Sequence, residues 1–579
     1  MNKRYLIFPV FLMFALPIFS QTYITNVTVA DVINSQFVTN QTVVITGDQI
    51  SDIQDAEKIK IPSGAEEIDG AGKYLIPGLT DAHVHFFQSG GLYTRPDVID
   101  LRKFKSYEEE IDDAHEKAAS IQRRYLQNGI TDVIDVGASY RFLDRKEEMN
   151  KLQDGAHVMM TGPLLTTYEP AAYQGLEENS PFSLVMTAEE GREMVQEQLK
   201  YNPDFIKIWY IARSGNLGPE ASARKFLPIV KAVIDEAHAH GLKVAVHATE
   251  RITAQLAVEN GCDFLVHSVE DEIIDDEFVN LLKTRNVVLC PTLTVHHGYD
   301  KTLGQKLNFK LHDFLKADPD DLGSLLDLQH LTDTVLISQY KRYINSPAAM
   351  ANAEKEQSIG KANLKKLVDA DVLIATGTDA GNIGTLHASS YLAELEAMKE
   401  SGMNNWQILQ ASTINGAKIL DQENEKGSVT TGKKANLVLL NANPITQLGN
   451  ISDIALVIKN GMVFSPDTLI QNTPSALAQR QLNGYNSRNI EAFLEPYAED
   501  VEIYSYPDKL LFTGKQQMRE NYSKMFENTP NLHCELKGRI VQNNIVIDKE
   551  RVRFGKKYFE AVAIYHIEND KIKKVYFIQ

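Results

Sequence analysis

Cysteine is scarce in this sequence, in which only 3 of 579 residues are cysteine. The three, Cys262, Cys290 and Cys534, are odd in number and widely spaced. Small secreted domains held by disulfides have an even and denser set. The scarcity therefore excludes a disulfide framework. Stability must come from apolar cores, to which a bound metal could add.

Positive charge is also in short supply. The formal net charge is -18 at pH 7, and no cluster of lysine and arginine stands out in the chain. Proteins that bind a phosphate backbone need such a cluster to neutralise it. We therefore expect no nucleic-acid partner.

Long apolar runs are missing except at the N-terminus. There Lys3 and Arg4 precede an apolar run over residues 5–19, followed by Ser20. This order is typical of a secretory signal peptide cut near Ser20, over residues 1–20. The run is shorter than the roughly 20 residues that span a bilayer, although an uncleaved anchor is the alternative. We expect export to the periplasm or the medium, with no membrane contact after cleavage.

Strand and helix patterns alternate through the middle of the chain. Eight short apolar segments are separated by longer amphipathic patterns between residues 75 and 427. This alternation favours parallel βαβ units, and eight units predict an α/β fold of the (β/α)8 TIM-barrel type. The largest insertion, residues 299–370, falls between the seventh and eighth strands and could cover the barrel mouth.

The two flanks of the barrel region share a different hydrophobic pattern. Short alternating β patterns occupy residues 21–74 and 428–468, and these predict one small composite β-sandwich built from both flanks. After residue 476 a helical pattern is followed by alternating strands. A third domain, of α+β type, is therefore expected over residues 476–579.

Two histidines lie one residue apart at the end of the first predicted barrel strand, His83 and His85. Side chains two positions apart on a strand point to the same face. Both imidazoles are therefore expected at the barrel mouth, where barrel enzymes have their active sites. Two nitrogen donors there suit a divalent metal. Alone the pair is weak evidence, because a strand can end in two polar residues without binding anything.

Other predicted strands end in residues of the same kind. His247 ends the fifth strand, His267 the sixth and Asp379 the eighth. Each has an ordinary alternative, as a hydrogen-bonded core histidine or as an aspartate that caps the next helix. At the same end of four strands, however, the histidines and the aspartate form the usual ligand set of zinc or a similar metal.

Lys207 lies between two isoleucines on the predicted fourth strand. Burial of an ammonium is costly, so the stem could pack while the head reaches solvent. Alternatively, a desolvated lysine loses its proton and reacts with carbon dioxide to give a carbamate, whose two oxygens can bridge two metals. The ligands would then be His83, His85 and Asp379 for one metal, His247 and His267 for the second, and carboxylated Lys207 for both.

This set resembles the ligand pattern of the amidohydrolase superfamily. The sequence around it is similar to the Xaa-Pro dipeptidase (prolidase-like) and imidazolonepropionase-related branches, over residues 23–464. The resemblance implies a TIM barrel with a urease-like composite β-sandwich. It also implies a metal-dependent hydrolase of carbon–nitrogen bonds with two divalent ions, for which zinc is the first choice.

The C-terminal domain resembles the SnoaL-like branch of the NTF2-like fold, a cone of curved sheet and helices. Such domains serve as enzymes, ligand pockets or dimer interfaces, so a homodimer through this domain is one expectation. His533, Asp548 and Glu550 could line a pocket, but the sequence favours surface positions for them.

The resemblance predicts hydrolysis of an amide in a small-molecule or peptide substrate. A dipeptide with proline or an N-acyl amino acid is the first expectation, with Asp379 as general base and then acid. Candidate substrate contacts, for which surface-loop positions are the alternative, are Tyr210, Arg213, His296, His297 and His387.

Three other functions stay open. A one-metal deaminase or cyclic-amide hydrolase would use Glu250, three residues after His247, as proton shuttle. A lactonase or phosphotriesterase could use the same metals. A protein without catalysis could bind a ligand or dimerise through the C-terminal domain.

Overall fold

The structure is a computed structural model that describes residues 21–212 and 216–578. The expected signal peptide and Arg213 lie outside the described residues. Within the described part of the chain, no helix has both the length and the apolar character needed to cross a membrane.

The strands in chain order are β1 (Gln21–Asp31), β2 (Gln36–Thr46), β3 (Gln49–Asp55), β4 (Glu66–Asp69), β5 (Tyr74–Pro77), β6 (Leu79–Val84), β7 (Ile130–Asp135), β8 (His157–Met160), β9 (Leu164–Thr166), β10 (Phe182–Leu184), β11 (Ile206–Trp209), β12 (Val244–His247), β13 (Phe264–Val266), β14 (Val288–Cys290), β15 (Leu437–Leu440), β16 (Ile454–Lys459), β17 (Met462–Phe464), β18 (Tyr497–Ser505), β19 (Lys509–Thr513), β20 (His533–Gln542), β21 (Ile545–Phe554), β22 (Lys557–Glu568) and β23 (Lys571–Ile578).

The α-helices are α1 (Tyr107–Gln127), α2 (Tyr140–Asp144), α3 (Lys146–Met149), α4 (Ala188–Leu199), α5 (Pro219–Ala239), α6 (Arg251–Glu259), α7 (Asp276–Arg285), α8 (Val295–Leu303), α9 (Leu311–Lys316), α10 (Pro319–Ser324), α11 (Thr334–Ile344), α12 (Pro347–Asp369), α13 (Ser390–Glu400), α14 (Asn405–Ala411), α15 (Ile414–Lys418), α16 (Pro466–Leu469), α17 (Pro474–Asn486), α18 (Ile490–Leu494) and α19 (Lys515–Asn528). Short 3₁₀ helices lie at Ala171–Tyr173, Glu177–Asn179, Asp327–Gln329 and Leu448–Ser452.

Strands from both flanks of the middle region share one sheet. Its order is β17-β16-β15-β5-β1-β2-β3, and β4 pairs with β1. The join between the flanks is the antiparallel pair β5–β15, in which Pro77 faces Leu437. β5 therefore belongs to this sheet, although the predicted flank ends at residue 74.

The middle region contains two parallel sheets that one segment connects. Their orders are β6-β7-β8 and β10-β9-β11-β12-β13-β14. The predicted eighth strand forms isolated bridges, Leu289 with Ile374 and Val84 with Ala380. Its backbone bonds to β14 on one side (Ala375 N to Leu289 O, 2.9 Å) and to β6 on the other (Asp379 N to His83 O, 2.7 Å). The first and last predicted strands are thus neighbours.

Helix α1 illustrates why the sequence folds as predicted around these strands. Ser106 and Glu109 form a reciprocal capping box at its start. Its apolar residues at helical spacing, including Ala114, Ala118 and Tyr125, are buried in the core around the strands. Other positions of the helix, such as Glu108, Asp112 and Glu116, are exposed to solvent.

The insertion before the eighth segment folds into α8 to α12 and contacts the C-terminal domain. Asn483 on α17 donates to the Pro319 carbonyl at 2.7 Å. The rings of His330 and His533 stack with centroids 5.1 Å apart, and their nitrogens lie 2.9 Å from each other. The C-terminal domain thus packs directly against the insertion.

The C-terminal domain is β-rich, with a six-stranded sheet in the order β19-β18-β23-β22-β21-β20 and helices α17 to α19. The sequence favours surface positions for His533, Asp548 and Glu550, and that prediction is wrong, because their exposures are 2%, 0% and 6%. Asp548 is buried in a bidentate pair with Arg539. His533 lies at the contact with the insertion, and Glu550 lines a cavity.

Candidate metal centre

Three of the predicted ligands converge at the end of β6. His83 Nε2 and His85 Nε2 lie 3.1 and 3.2 Å from Asp379 Oδ1, and 3.3 Å from each other. The three side chains are buried, and their ligand atoms all lie within 4.8 Å of one another. Two imidazole nitrogens and a carboxylate oxygen at this spacing are a metal-binding set.

The hydrogen bonds around these side chains test whether a cation fits. His85 Nδ1 lies 3.0 Å from the carbonyl oxygen of Gly137, so this nitrogen is the donor. In the neutral ring Nε2 is then an unprotonated lone pair aimed at the Asp379 carboxylate. Burial lowers the pKa of His83 to about 4, which keeps that ring neutral too. Lone pairs and a carboxylate that face each other in a buried site need a cation between them, so a divalent metal fits.

His247 and His267 lie beside this cluster. The ring centroids of His267 are 4.9 Å from His83 and 4.3 Å from His247. Burial lowers the pKa of both rings well below the usual range, and the ammonium form of Lys207 lowers it further. The Thr292 hydroxyl lies 2.7 Å from His267 Nδ1, which leaves the Nε2 atom of this ring available to a ligand.

Lys207 on β11 is buried, with 1% of its surface exposed. Burial lowers the pKa of its ammonium to about 7, against the opposing attraction of Asp379. A large share of this lysine is therefore the neutral amine near neutral pH, which is the form that reacts with carbon dioxide. The alternative, in which its head reaches solvent, does not match this burial.

The backbone is shaped to bring these strand ends together. Gly377 packs against β6 and β14 so closely that an added Cβ would overlap Cys290 Sγ and lie 2.8 Å from His83 N. Asp379 and His267 have positive φ values of 59° and 77°. Such conformations are unfavourable for residues other than glycine and are concentrated at functional sites.

Asp81 holds the Asp379 segment in register, and the sequence reasoning missed it. Its carboxylate accepts from the Thr378 hydroxyl at 2.7 Å and from the Thr378 amide at 3.0 Å. Burial raises the pKa of Asp81 to about 7 even though these bonds oppose the shift. The clue available in the sequence is the position of Asp81, two residues before the His83–His85 motif.

All six predicted ligands line one cavity of about 1110 Å³. Its wall includes apolar side chains from strands β9 to β11 and from loops after other strands, among them Phe87, Leu164, Phe182, Trp209 and Leu293. The opposite wall comes from α11 and α12 of the insertion. The insertion therefore lines the cavity that holds the predicted ligands, as the sequence predicts.

The predicted substrate contacts separate into two groups. His296 and His297 line the cavity. Tyr210 does not, because its hydroxyl donates to the Ala223 carbonyl at 2.5 Å behind the strand. His387 is buried between the Tyr125 hydroxyl and the Gln88 carbonyl, each 2.8 Å away. Both are structural positions, and Arg213 lies outside the described residues.

Several cavity residues were not singled out from the sequence. Glu270 lies 3.3 Å from His296, and this partner raises the pKa of His296 to about 8. Arg95, Tyr299 and Asn382 also line the cavity, and Arg95 donates to the Tyr299 hydroxyl and to Asn382 Oδ1. Glu270, Arg95 and Asn382 lie on loops of irregular spacing, where no periodic pattern marks them, whereas Tyr299 lies on α8.

Glu250, the shuttle of the one-metal alternative, is not among the residues that line the cavity. It precedes α6, and its carboxylate accepts from the Thr253 hydroxyl at 3.2 Å. Its position is that of a local helix-start contact.

Comparison with known proteins agrees with this arrangement. The family model "Amidohydrolase family" matches residues 74–464, and "SnoaL-like domain" matches residues 478–575. Imidazolonepropionase from Thermoplasma acidophilum is 23% identical over 457 residues, which cover 73% of this chain and 89% of that protein. A 5-methylthioadenosine/S-adenosylhomocysteine deaminase from Carboxydothermus hydrogenoformans is 23% identical over 491 residues, covering 81% and 95%.

Among solved structures, a Xaa-Pro dipeptidase with methionine bound in its active site has a TM-score of 0.57 and 22% identity. The alignment covers 77% of this chain and 100% of that one. This likeness implies a TIM barrel for the parallel strands. The resemblance to amidohydrolases and to SnoaL-like domains predicted from the sequence is confirmed.

Proposed function

Because the chain belongs to the amidohydrolase family, whose relatives hydrolyse carbon–nitrogen bonds, we propose that it is a binuclear metal-dependent hydrolase of small amides. The observation that carries the proposal is the His83, His85 and Asp379 cluster in one cavity with His247, His267 and Lys207. We also infer that the parallel strands close into an eight-stranded barrel, with this centre at the ends of the strands.

His83, His85 and Asp379 would hold one ion and His247 and His267 the other, with carboxylated Lys207 shared between them. Zinc suits this set of imidazole and carboxylate ligands. When bound, two such ions polarise the substrate carbonyl and lower the pKa of water toward neutrality.

Asp379 is the proton carrier in this proposal. Burial opposes its ionisation, but His83 and His85 lower its pKa well below the usual range, so it is a carboxylate at neutral pH. In this state it accepts a proton from the attacking water at its carboxylate and then delivers it to the leaving nitrogen. Its positive-φ backbone, bonded to His83 O, fixes the carboxylate toward the ligand cluster.

The cavity favours a substrate with an apolar group beside the scissile amide. Phe182 and Trp209 pack with ring centroids 5.1 Å apart on one wall. His296, whose raised pKa keeps it protonated at neutral pH, can pair with a substrate carboxylate at the mouth. A dipeptide with proline or an N-acyl amino acid combines both features.

The position of Glu250 favours the binuclear proposal over the one-metal deaminase. A proton shuttle must reach the reacting atoms, and Glu250 lies off the cavity wall with Thr253 as its partner. Hydrolysis of a lactone or a phosphotriester would use the same centre. Assays with a panel of amide, lactone and phosphotriester substrates distinguish these activities.

Export to the periplasm or medium, and a homodimer through the C-terminal domain, are further proposals. The first rests on the pattern of residues 1–20, and the second on the SnoaL-like match.

The direct test is hydrolysis of Xaa-Pro dipeptides and N-acetyl amino acids by metal-loaded protein. Asp379→Asn should lower kcat by about 10³-fold, because the proton carrier is lost. The matched control is Asp300→Asn, which removes a carboxylate that lines the same cavity outside the ligand set. Equal activity of Asp379→Asn and Asp300→Asn would contradict the proposal.

A further inference from the structure

The C-terminal domain encloses a second cavity, far from the metal ligands in sequence and outside the amidohydrolase match. Its volume is about 310 Å³, at the lower end of the range for small-molecule pockets. Aromatic rings form much of its wall: Phe493 lies 4.5 Å from Tyr522 and 5.4 Å from Tyr497 between ring centroids. These flat faces would pack against a flat apolar molecule.

A chain of hydrogen bonds crosses the wall and ends at one carboxyl group. Tyr497 donates to Gln481 Oε1 at 3.2 Å, and Gln481 donates to the Tyr565 hydroxyl at 2.9 Å. The Tyr565 hydroxyl in turn donates to Glu550 Oε1 at 3.3 Å. Glu550 is 94% buried, and its two oxygens have more acceptor capacity than this long bond and the contact with the Cys534 thiol use.

The charge of the wall limits what can bind. Among the described residues, those that line the cavity include no lysine, arginine or histidine. Glu550 supplies the carboxyl group of the cavity wall. The nearby Asp548 is neutralised by Arg539 and does not line the cavity. An anion would therefore meet no counter-charge, whereas an N–H or O–H donor would meet the Glu550 acceptor.

The entrance is apolar as well. Phe554 and Phe559, which line the cavity, are 44% and 40% exposed. Large aromatic side chains at a rim of this kind lower the cost of moving an apolar molecule from water into the pocket.

We propose that this cavity is a second ligand site, for a small, flat, mainly apolar molecule that carries one N–H or O–H donor and no negative charge. The donor bonds Glu550, and the rings of Phe493, Tyr497 and Tyr522 hold the apolar body. The site is independent of the metal centre in residues and in chemistry.

Indole and N-methylindole are the probes, because they share one shape and differ in the N–H donor. Ligand-observed NMR and calorimetry with the full chain should show indole binding, with N-methylindole at least about fivefold weaker. Ala561→Phe, which fills the cavity, should abolish binding of both while metal content stays unchanged.

Two further variants keep the test decisive if Ala561→Phe fails to fold. Glu550→Leu removes the acceptor and should bring both probes to equal affinity. Trp209→Leu changes the barrel cavity and should leave indole binding unaltered. The proposal is overturned if the wild-type chain does not bind indole at millimolar concentration. It is also overturned if Trp209→Leu removes the binding, or if Glu550→Leu retains the preference for indole.

Discussion

At the scale of single residues, the burial of Lys207 matters most for the chemistry, because it lowers the pKa of the ammonium group. If Lys207 is a ligand of both ions, Lys207→Ala should lower the metal content from about two ions per chain to about one. The second site would then keep only His247 and His267. Metal analysis of protein purified without chelator and with bicarbonate measures this. Added propionate should restore part of the lost metal, since its carboxylate can occupy the space of the carbamate.

The matched control is Lys231→Ala. Lys231 is an exposed lysine on α5 that pairs with Asp235, so its loss should leave the metal content unchanged. If Lys207→Ala also keeps two ions, the shared ligand is disproved.

Glu550 gives a prediction on pH. Burial raises its pKa from 4.5 to about 7, so between these values the folded chain holds a proton that the unfolded chain has lost. Its contribution to the free energy of unfolding is therefore full below about pH 4.5 and is lost as the pH rises through about 7. The loss is on the order of 3 kcal/mol. Glu550→Gln cannot titrate. Melting followed by tyrosine near-UV circular dichroism should show a smaller loss of stability for this variant over the same range. Parallel curves would show that Glu550 titrates normally.

At the scale of elements, the segment that carries Asp379 depends on one glycine. A Cβ at position 377 would overlap Cys290 and press on the His83 backbone. Gly377→Ala should therefore displace the His83 and Asp379 strand ends and lower metal affinity by at least about tenfold. Metal titration measures the affinity, and the melting temperature reports the strain.

Gly218→Ala is its control, because Gly218 is exposed at the start of α5 and an added Cβ there meets no atom within 4 Å. Equal metal affinity in Gly377→Ala and Gly218→Ala would mean that this close approach does not position the ligands.

The elements also show what the sequence could predict. Apolar segments with a polar residue at one end placed His83, His247 and Asp379 at one cavity, because strand direction fixes where a strand end lies. Loop residues have no such rule. Tyr210 and His387 follow strands just as the ligands do, yet each points to a buried backbone carbonyl. Partners distant in sequence decide these orientations, so local spacing could not reveal them.

At the scale of the whole molecule, the barrel region and the C-terminal domain both contact one insertion. Helices α11 and α12 form a wall of the metal cavity, while the insertion also contacts the C-terminal domain through Pro319 and His330. The order of these regions follows from changes in the strand and helix patterns along the sequence. Their packing was not, since it depends on contacts such as His330 with His533, which are 203 residues apart.

The central claim is that six side chains from five strands bind two metal ions. The most direct measurement is the metal content of the mature chain, purified without chelator and with bicarbonate present. A value near two ions per chain is the predicted result. A value near one would favour a one-metal enzyme, and no metal after reconstitution would contradict the proposed hydrolase.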